Sequence, residues 1–219
     1  MNDRQSVNAS QPTGRPRGPD PAKRALLLQI ARRRFVEDGY KKTSVSAIVR
    51  DAGLAQGTFY LHFKSKDHLL GQLRWEVLAA YNAAFEAGSA GDGPADARLL
   101  AGLRAIQHSV NEHKALVRVF RQAASGAEVD RQVLSGRKAL AVPLAAVIEQ
   151  GAAQGCFTVG PPVLAAHFVI SLLANLVADA LFQQDPHGQQ VLDEALRFLL
   201  RGLGVPEPRV ALLLSSEAS

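Results

Sequence analysis

The chain predicts an all-α protein: a small N-terminal helical module followed by a larger helical body. Ala and Leu dominate its 47% apolar content, and both lose little side-chain freedom on entering a helix. Apolar residues recur every three to four positions along most of the chain, and no alternating run is long enough to build a sheet. The 219 residues hold no internal repeat and suffice for a small module plus a larger one.

Residues 1–20 are mostly Pro, Gly, Ser, Asn and Arg with almost no apolar anchor, and are expected to form a disordered basic arm. Pro21 suits a first helical turn, after which Leu27, Ile30, Ala31 and Phe35 make an apolar stripe that Gly39 ends. Thr43 or Ser44 caps a short helix with Val45, Ile48, Val49 and Ala52 on one face, and Gly53 supplies a turn. A second short helix, 56–63, sets Phe59 and Phe63 four apart to pack on its neighbours. Ser65 caps a long helix running to about Ala87, with Asp67 in its first turn. Beyond a Gly/Pro loop, helices are expected at 95–113, 115–125, 128–154, 162–184 and 189–203, with Pro143 kinking or dividing the longest. The tail, residues 206–219, is expected to be frayed.

Charge is distributed unevenly. Residues 1–66 carry thirteen Lys/Arg against five Asp/Glu, a net of +8, while the remaining 153 residues carry twelve against fifteen, a net of −3. A basic module on a mildly acidic body is the electrostatic footprint of a nucleic-acid-binding end. A solvated basic surface without a partner is the plainer alternative.

Two short helices joined by a tight turn, the second with polar residues outward, have helix-turn-helix geometry. The start of the second helix offers free N–H groups and the positive end of the helix dipole to a phosphate. Gly57 allows close approach to a DNA backbone. Gln56 can contact adenine bidentately, and Thr58 offers a hydroxyl and a methyl to a base edge. In the arm, Arg15 and Arg17 lie in Thr13-Gly14-Arg15-Pro16-Arg17-Gly18, close to the core of minor-groove binders. Insertion into a narrow minor groove and a disordered tail without sequence preference are both open readings.

The stretch TSVSAIVRDAGLAQGTFYLHFKSKDHLL resembles the helix-turn-helix of the TetR (tetracycline-repressor) family. The matching features are the Thr/Ser start, Ile48, Ala52-Gly53, Gly57-Thr58-Phe59-Tyr60, Phe63, Lys66 and Leu69-Leu70, within about residues 22–72. The resemblance implies a DNA-binding domain over 21–66, a ligand-binding and dimerisation domain over 67–205, and a cytoplasmic homodimer on a palindromic operator. It places Ser44 and Lys66 on phosphates, and Tyr60 and His62 on phosphates or nearby bases. Tyr60 lying over the helix pair and His62 as an ordinary surface histidine are the plainer readings. Repression released by a small-molecule inducer is the implied activity.

In the body, helix 162–184 is apolar nearly all round, and its length invites a membrane-spanning reading. His167, Asn175 and Asp179 within it count against that, so burial between its own core and a second subunit is the expectation. Ala165, Ala166, Ser171, Ala174 and Ala178 keep it slim; Val191, Leu192, Ala195, Leu196, Leu199 and Leu203 join the pairing from helix 189–203. For the inducer, Trp75, Leu78, Asn82 and Phe85 share one face of the long helix. Leu103, Ile106, Phe120 and Phe168 are candidate walls, with His113, Arg121 and Asn175 as polar anchors; ordinary core packing is the alternative for each. An apolar lining favours a lipophilic, aromatic or acyl-type ligand, anionic if Arg121 faces inward.

No enzyme is expected, since no phosphate loop, nucleophile elbow or nucleotide-binding glycine pattern occurs. The six histidines show no metal-ligand spacing, and no cofactor is expected. A lone cysteine, Cys156, excludes an internal disulfide, suits a reducing compartment and reads as a packing residue more readily than a thiol sensor. The N-terminus lacks the apolar segment of a secretory signal. An architectural DNA-binding protein without a ligand is the alternative function.

Overall fold

The computed structural model describes residues 20–123, 127–182 and 188–215, and all its regular elements are helices. They run α1 (Pro21–Glu37), α2 (Val45–Asp51), α3 (Gln56–His62), α4 (Lys66–Gly88), α5 (Ala95–Ala123), α6 (Ala127–Ala153), α7 (Pro162–Phe182), α8 (Gly188–Gly202) and α9 (Glu207–Ser215). The expected arm falls on residues 1–19, outside the described ones.

Local chemistry sets the first elements. The Asp20 side chain accepts from Ala22 N, and Pro21 takes the first position of α1. Ser44 caps α2 by accepting from Ala47 N, and Ser65 caps α4 by accepting from His68 N. Between α2 and α3 the chain turns through Gly53 at φ +62°, a left-handed conformation that side-chain-bearing residues adopt at a cost.

Two apolar cores result. The first joins Leu27, Ile30, Ala31 and Phe35 of α1 to Ile48, Val49, Phe59 and Phe63, then to Leu69, Leu73 and Val77 of α4 and Leu116, Val119 and Phe120 of α5. The second holds Phe85, Leu99, Leu103, Leu144, Ile148, Val169, Leu196 and Leu203 among others. Helix α4 therefore belongs to both, and packing does not divide at residue 66. At its far end, α4 approaches α5 so closely that a Cβ on Gly102 would lie 2.8 Å from the Phe85 ring.

Four expectations change. A single helix, α5, replaces the pair 95–113 and 115–125. Ser109, Val110, Leu116, Val119 and Phe120 are all buried on it, so one apolar stripe continues through 114, where no Gly or Pro intervenes. Of the kink or division expected at Pro143, division does not occur: Pro143 lies inside α6. Ala141, Leu144, Ala145, Val147 and Ile148 are buried around it, and this packing outweighs the lost N–H.

The tail from Pro206 is not frayed to its end: 207–215 form α9, with Val210 fully buried and Leu213 nearly so. Arg209 holds it down through Asp96, by Nε at 2.7 Å and Nη2 at 2.9 Å. Finally, Leu192, Ala195, Leu196, Leu199 and Leu203, expected at a subunit interface, are buried within this chain, as is Ala166. An amphipathic stripe marks the side that its own core covers.

Candidate nucleic-acid interface

Helix α3 rests on the module through Phe59, fully buried, and the following Phe63, 1% exposed, whose rings lie 5.6 Å apart. The opposite side is largely open. Gln56 and Gly57 are exposed, Thr58 is half-buried, and Tyr60 is 55% exposed. No atom lies within 4 Å of where a Gly57 Cβ would be, so the backbone is bare there. Ser44 is exposed while its hydroxyl oxygen caps α2. His62 is half-buried, and its Nδ1 is buried without a hydrogen-bond partner. Arg15 and Arg17 lie outside the described residues. One residue escaped the sequence reading: Leu61 is 61% exposed, more than Tyr60, and its apolar nature gave no reason to place it outside.

Ion pairs brace the module. Arg34 forks onto Asp51, Nε at 2.6 Å and Nη2 at 2.8 Å, tying α1 to the end of α2, and Arg33 adds a contact at 3.2 Å. The Arg34 hydrogen bonds hold the Asp51 carboxyl below its ordinary range. Arg24 donates to Gln72 at 2.6 Å and Arg32 to Glu76 at 2.8 Å, so α1 is also strapped to α4.

The Lys66 Nζ donates to Tyr40 O and Thr43 O, both at 2.8 Å, and lies 4.2 Å from the Tyr40 ring centre. Two of its three N–H donors meet backbone carbonyls, so it ties α4 to the α1–α2 loop. Tyr40 closes the same bracket by donating to Asp67, and burial together with that carboxylate pushes its phenol well above the usual range.

The candidate ligand residues do not converge on one chamber. Phe85, Leu103 and Ile106 meet in the second core, and Leu78 packs where Gly136 of α6 leaves room. Phe120 lies in the first core, under the Arg74 guanidinium at 5.0 Å. Trp75 is 46% exposed and Phe168 66% exposed, so neither walls an interior site. Arg121 is exposed, and the Asn175 side chain lies outside the described ones. Asn82 is half-buried, with a buried Oδ1 that has no hydrogen-bond partner. Its neighbour Tyr81, not singled out by sequence, is pushed to about 12 by burial and packs edge-on to His113, whose Nδ1 meets Ser109 O at 2.7 Å.

On α7 and α8, Val163, Leu164, Phe168 and Phe198 are between 50% and 67% exposed. Leu164, Phe168, Leu172 and Phe198 line a groove of about 540 Å³ there. Among the described residues no helix is long and apolar enough to cross a membrane, and no three His, Cys, Asp or Glu gather as a metal site. Cys156 is half-buried, its thiol 3.7 Å from Gln154 Oε1.

A capped helix-turn-helix with a polar outer face, mounted on a larger helical body, defines a DNA-binding transcription regulator. Residues 27–73 match the model of the bacterial regulatory proteins of the tetR family. The HTH-type transcriptional regulator YhgD of Bacillus subtilis is 22% identical over 184 residues, 83% of this chain and 96% of that one. Three further regulators of the same organism match over 52, 48 and 93 residues, and the chain spans only 17% to 32% of their lengths. A putative TetR-family regulator from Syntrophomonas wolfei shares the fold with a TM-score of 0.69 at 20% identity, covering 82% of this chain and 93% of that one. RolR in complex with resorcinol shares it with a TM-score of 0.67 at 19% identity, over 90% and 94%. Over residues 27–73 the chain is similar to the TetR family, and over most of its length it shares the fold of these solved structures.

Proposed function

We propose that this regulator is a repressor that binds a palindromic operator as a homodimer and is released by a small-molecule inducer. One observation carries the ligand response: α4 is buried in both cores, through Leu69, Leu73 and Val77 in one and Phe85 in the other. A ligand that shifts α4 in the body moves the mount of the reader, and with it the spacing of two readers on adjacent major grooves. Such a ligand must bind the shifted state more tightly than the DNA-bound state. A coupling of about 1–3 kcal/mol weakens operator binding about 5- to 150-fold.

The DNA-binding residues in this reading are Ser44, Gln56, Gly57, Thr58, Tyr60 and His62, with Arg15 and Arg17 of the arm adding electrostatic affinity. The body, residues 67–205 continued by α9, senses the ligand and pairs with its copy through the apolar faces of α7 and α8. For the inducer, the apolar side chains of Leu78, Leu103 and Ile106 in the body favour an aromatic or aliphatic molecule. The buried Asn82 Oδ1 favours one that also donates a hydrogen bond, since an unmatched buried acceptor is costly. RolR accommodates resorcinol, a ring with two hydroxyl donors, on the same fold. The exposure of Arg121 removes the reason to expect an anion.

The test is enrichment of duplexes from a random pool by the purified protein, followed by a metabolite screen for release. A palindromic duplex released by an uncharged, donor-bearing aromatic or acyl compound is the expected result. Binding without preference for any duplex, or release by no compound, would favour the architectural reading.

A further inference from the structure

Leu61 occupies a position that its chemistry does not explain. It follows the fully buried Phe59 by two residues, about 200° around the helix, so its side chain leaves α3 on the side facing away from the core. At 61% exposure it forgoes most of the stabilisation that burying a leucine gives. Gly57 lies one turn earlier on the same face with open space around it, so a surface that meets the bare backbone at Gly57 also meets Leu61. Exposed Lys41, Lys42, Arg50 and Lys64 in the same module draw that surface toward a polyanion.

A leucine can neither donate nor accept a hydrogen bond. A phosphate oxygen or a polar base edge pressed against it would lose water and gain nothing. The major groove displays a single apolar group, the C5-methyl of thymine. Resting on the DNA-reading assignment above, we infer that Leu61 reads a thymine methyl in each half-site and is a specificity-determining residue of this regulator. Gln56 and Thr58 supply polar readout at the start of α3, and Leu61 adds an apolar contact one turn further on.

Replacing thymine by deoxyuridine removes the methyl and nothing else. The full-length protein first enriches duplexes from a random pool. Each thymine of the best duplex is then changed singly to deoxyuridine, and affinities of the parent and of Leu61→Ala are measured by fluorescence anisotropy. Burial of one methyl corresponds to about fourfold in a binding constant. The parent is expected to lose about fourfold at one thymine per half-site, and about fifteenfold when both are changed. Leu61→Ala should bind the thymine duplex as weakly as the parent binds its deoxyuridine form, and should ignore the swap. Equal responses of the two proteins at every thymine overturn the inference, because a leucine lying against sugar carbons gives that pattern. Failure of the parent to enrich any duplex sinks the DNA-reading assignment itself, whereas enriched DNA without methyl coupling sinks only the role of Leu61. Unchanged thermal melting of the variant, expected at so exposed a site, keeps the comparison clean.

Discussion

Among the described residues, two open surfaces differ in kind. On α3 the open face is Gln56, Gly57, Tyr60 and Leu61, within a segment of net charge +8. On α7 and α8 it is Val163, Leu164, Phe168 and Phe198, apolar side chains around a groove. Water satisfies the polar groups of the first face when no partner is present, so an occupant can come and go and will be sensitive to salt. The second is costly to leave wet, and exposed apolar patches mark protein contacts or ligand-binding grooves. On the function proposed above, the contrast separates a face for reversible readout from a face for pairing with a second copy.

The largest expected effect comes from removing what supports the readout face. Phe59→Ala empties the centre of the first core and should cost about 3–5 kcal/mol in chemical denaturation. Operator binding should disappear while the second core still melts as a unit; a stable variant would mean that α3 is not anchored there. On the assembly face, Phe198→Asp should weaken self-association by more than about 30-fold in sedimentation, as for a buried aromatic anchor. The reader's own melting should be untouched, and an unchanged dimer would assign the apolar groove to another occupant.

Arg209→Ala strands the Asp96 carboxylate, 5% exposed, and should cost about 2–3 kcal/mol at neutral pH. Arg209 holds the Asp96 carboxyl below its ordinary range. Its contribution is therefore complete above that range and is lost as pH falls through the depressed folded value. Parent and variant melting curves should converge in acid; a pH-independent gap would mean that the lost term is packing rather than charge.

Lys66→Met distinguishes strut from phosphate contact. A strut predicts a stability loss of about 1–2 kcal/mol with the salt dependence of operator binding unchanged. A phosphate contact predicts instead a slope lower by about 1. The smallest effect is expected from Arg32→Ala. Its pair with Glu76 is about 40% exposed on both sides, so about 0.5 kcal/mol is at stake.

The reader was legible in sequence because its determinants are local. Asp20, Ser44 and Ser65 cap helices from the adjoining position, Gly53 makes the turn, and the Phe59–Phe63 spacing fixes which side of α3 is buried. The tetR-family match over residues 27–73 covers this same stretch. What escaped depends on neighbours distant in the chain. Nothing near Lys66 announces that the Tyr40 and Thr43 carbonyls will capture its ammonium, 26 and 23 residues away. Arg209 meets Asp96 across 113 residues, so α9 looked like a loose end, although Pro206, Glu207 and the run Val210–Leu214 carry helix signals. Phe85 and Phe120 are equally apolar, and spacing along a helix does not say that they belong to different cores. Leu61 was missed for the opposite reason: apolar residues are assumed to face inward, and this one does not.

The sharing of α4 and the end of α5 between the two cores bears on how such regulators are recombined. A hybrid sensor that borrowed a foreign reader by splicing at residue 66 would cut between Phe63 and Leu69, severing side chains that pack in one interior. Its output would then report mismatched packing more than ligand. A graft that carries α4 to Val77, and matches Leu116, Val119 and Phe120 to the incoming module, preserves that interior and with it the transmission of movement from one half to the other.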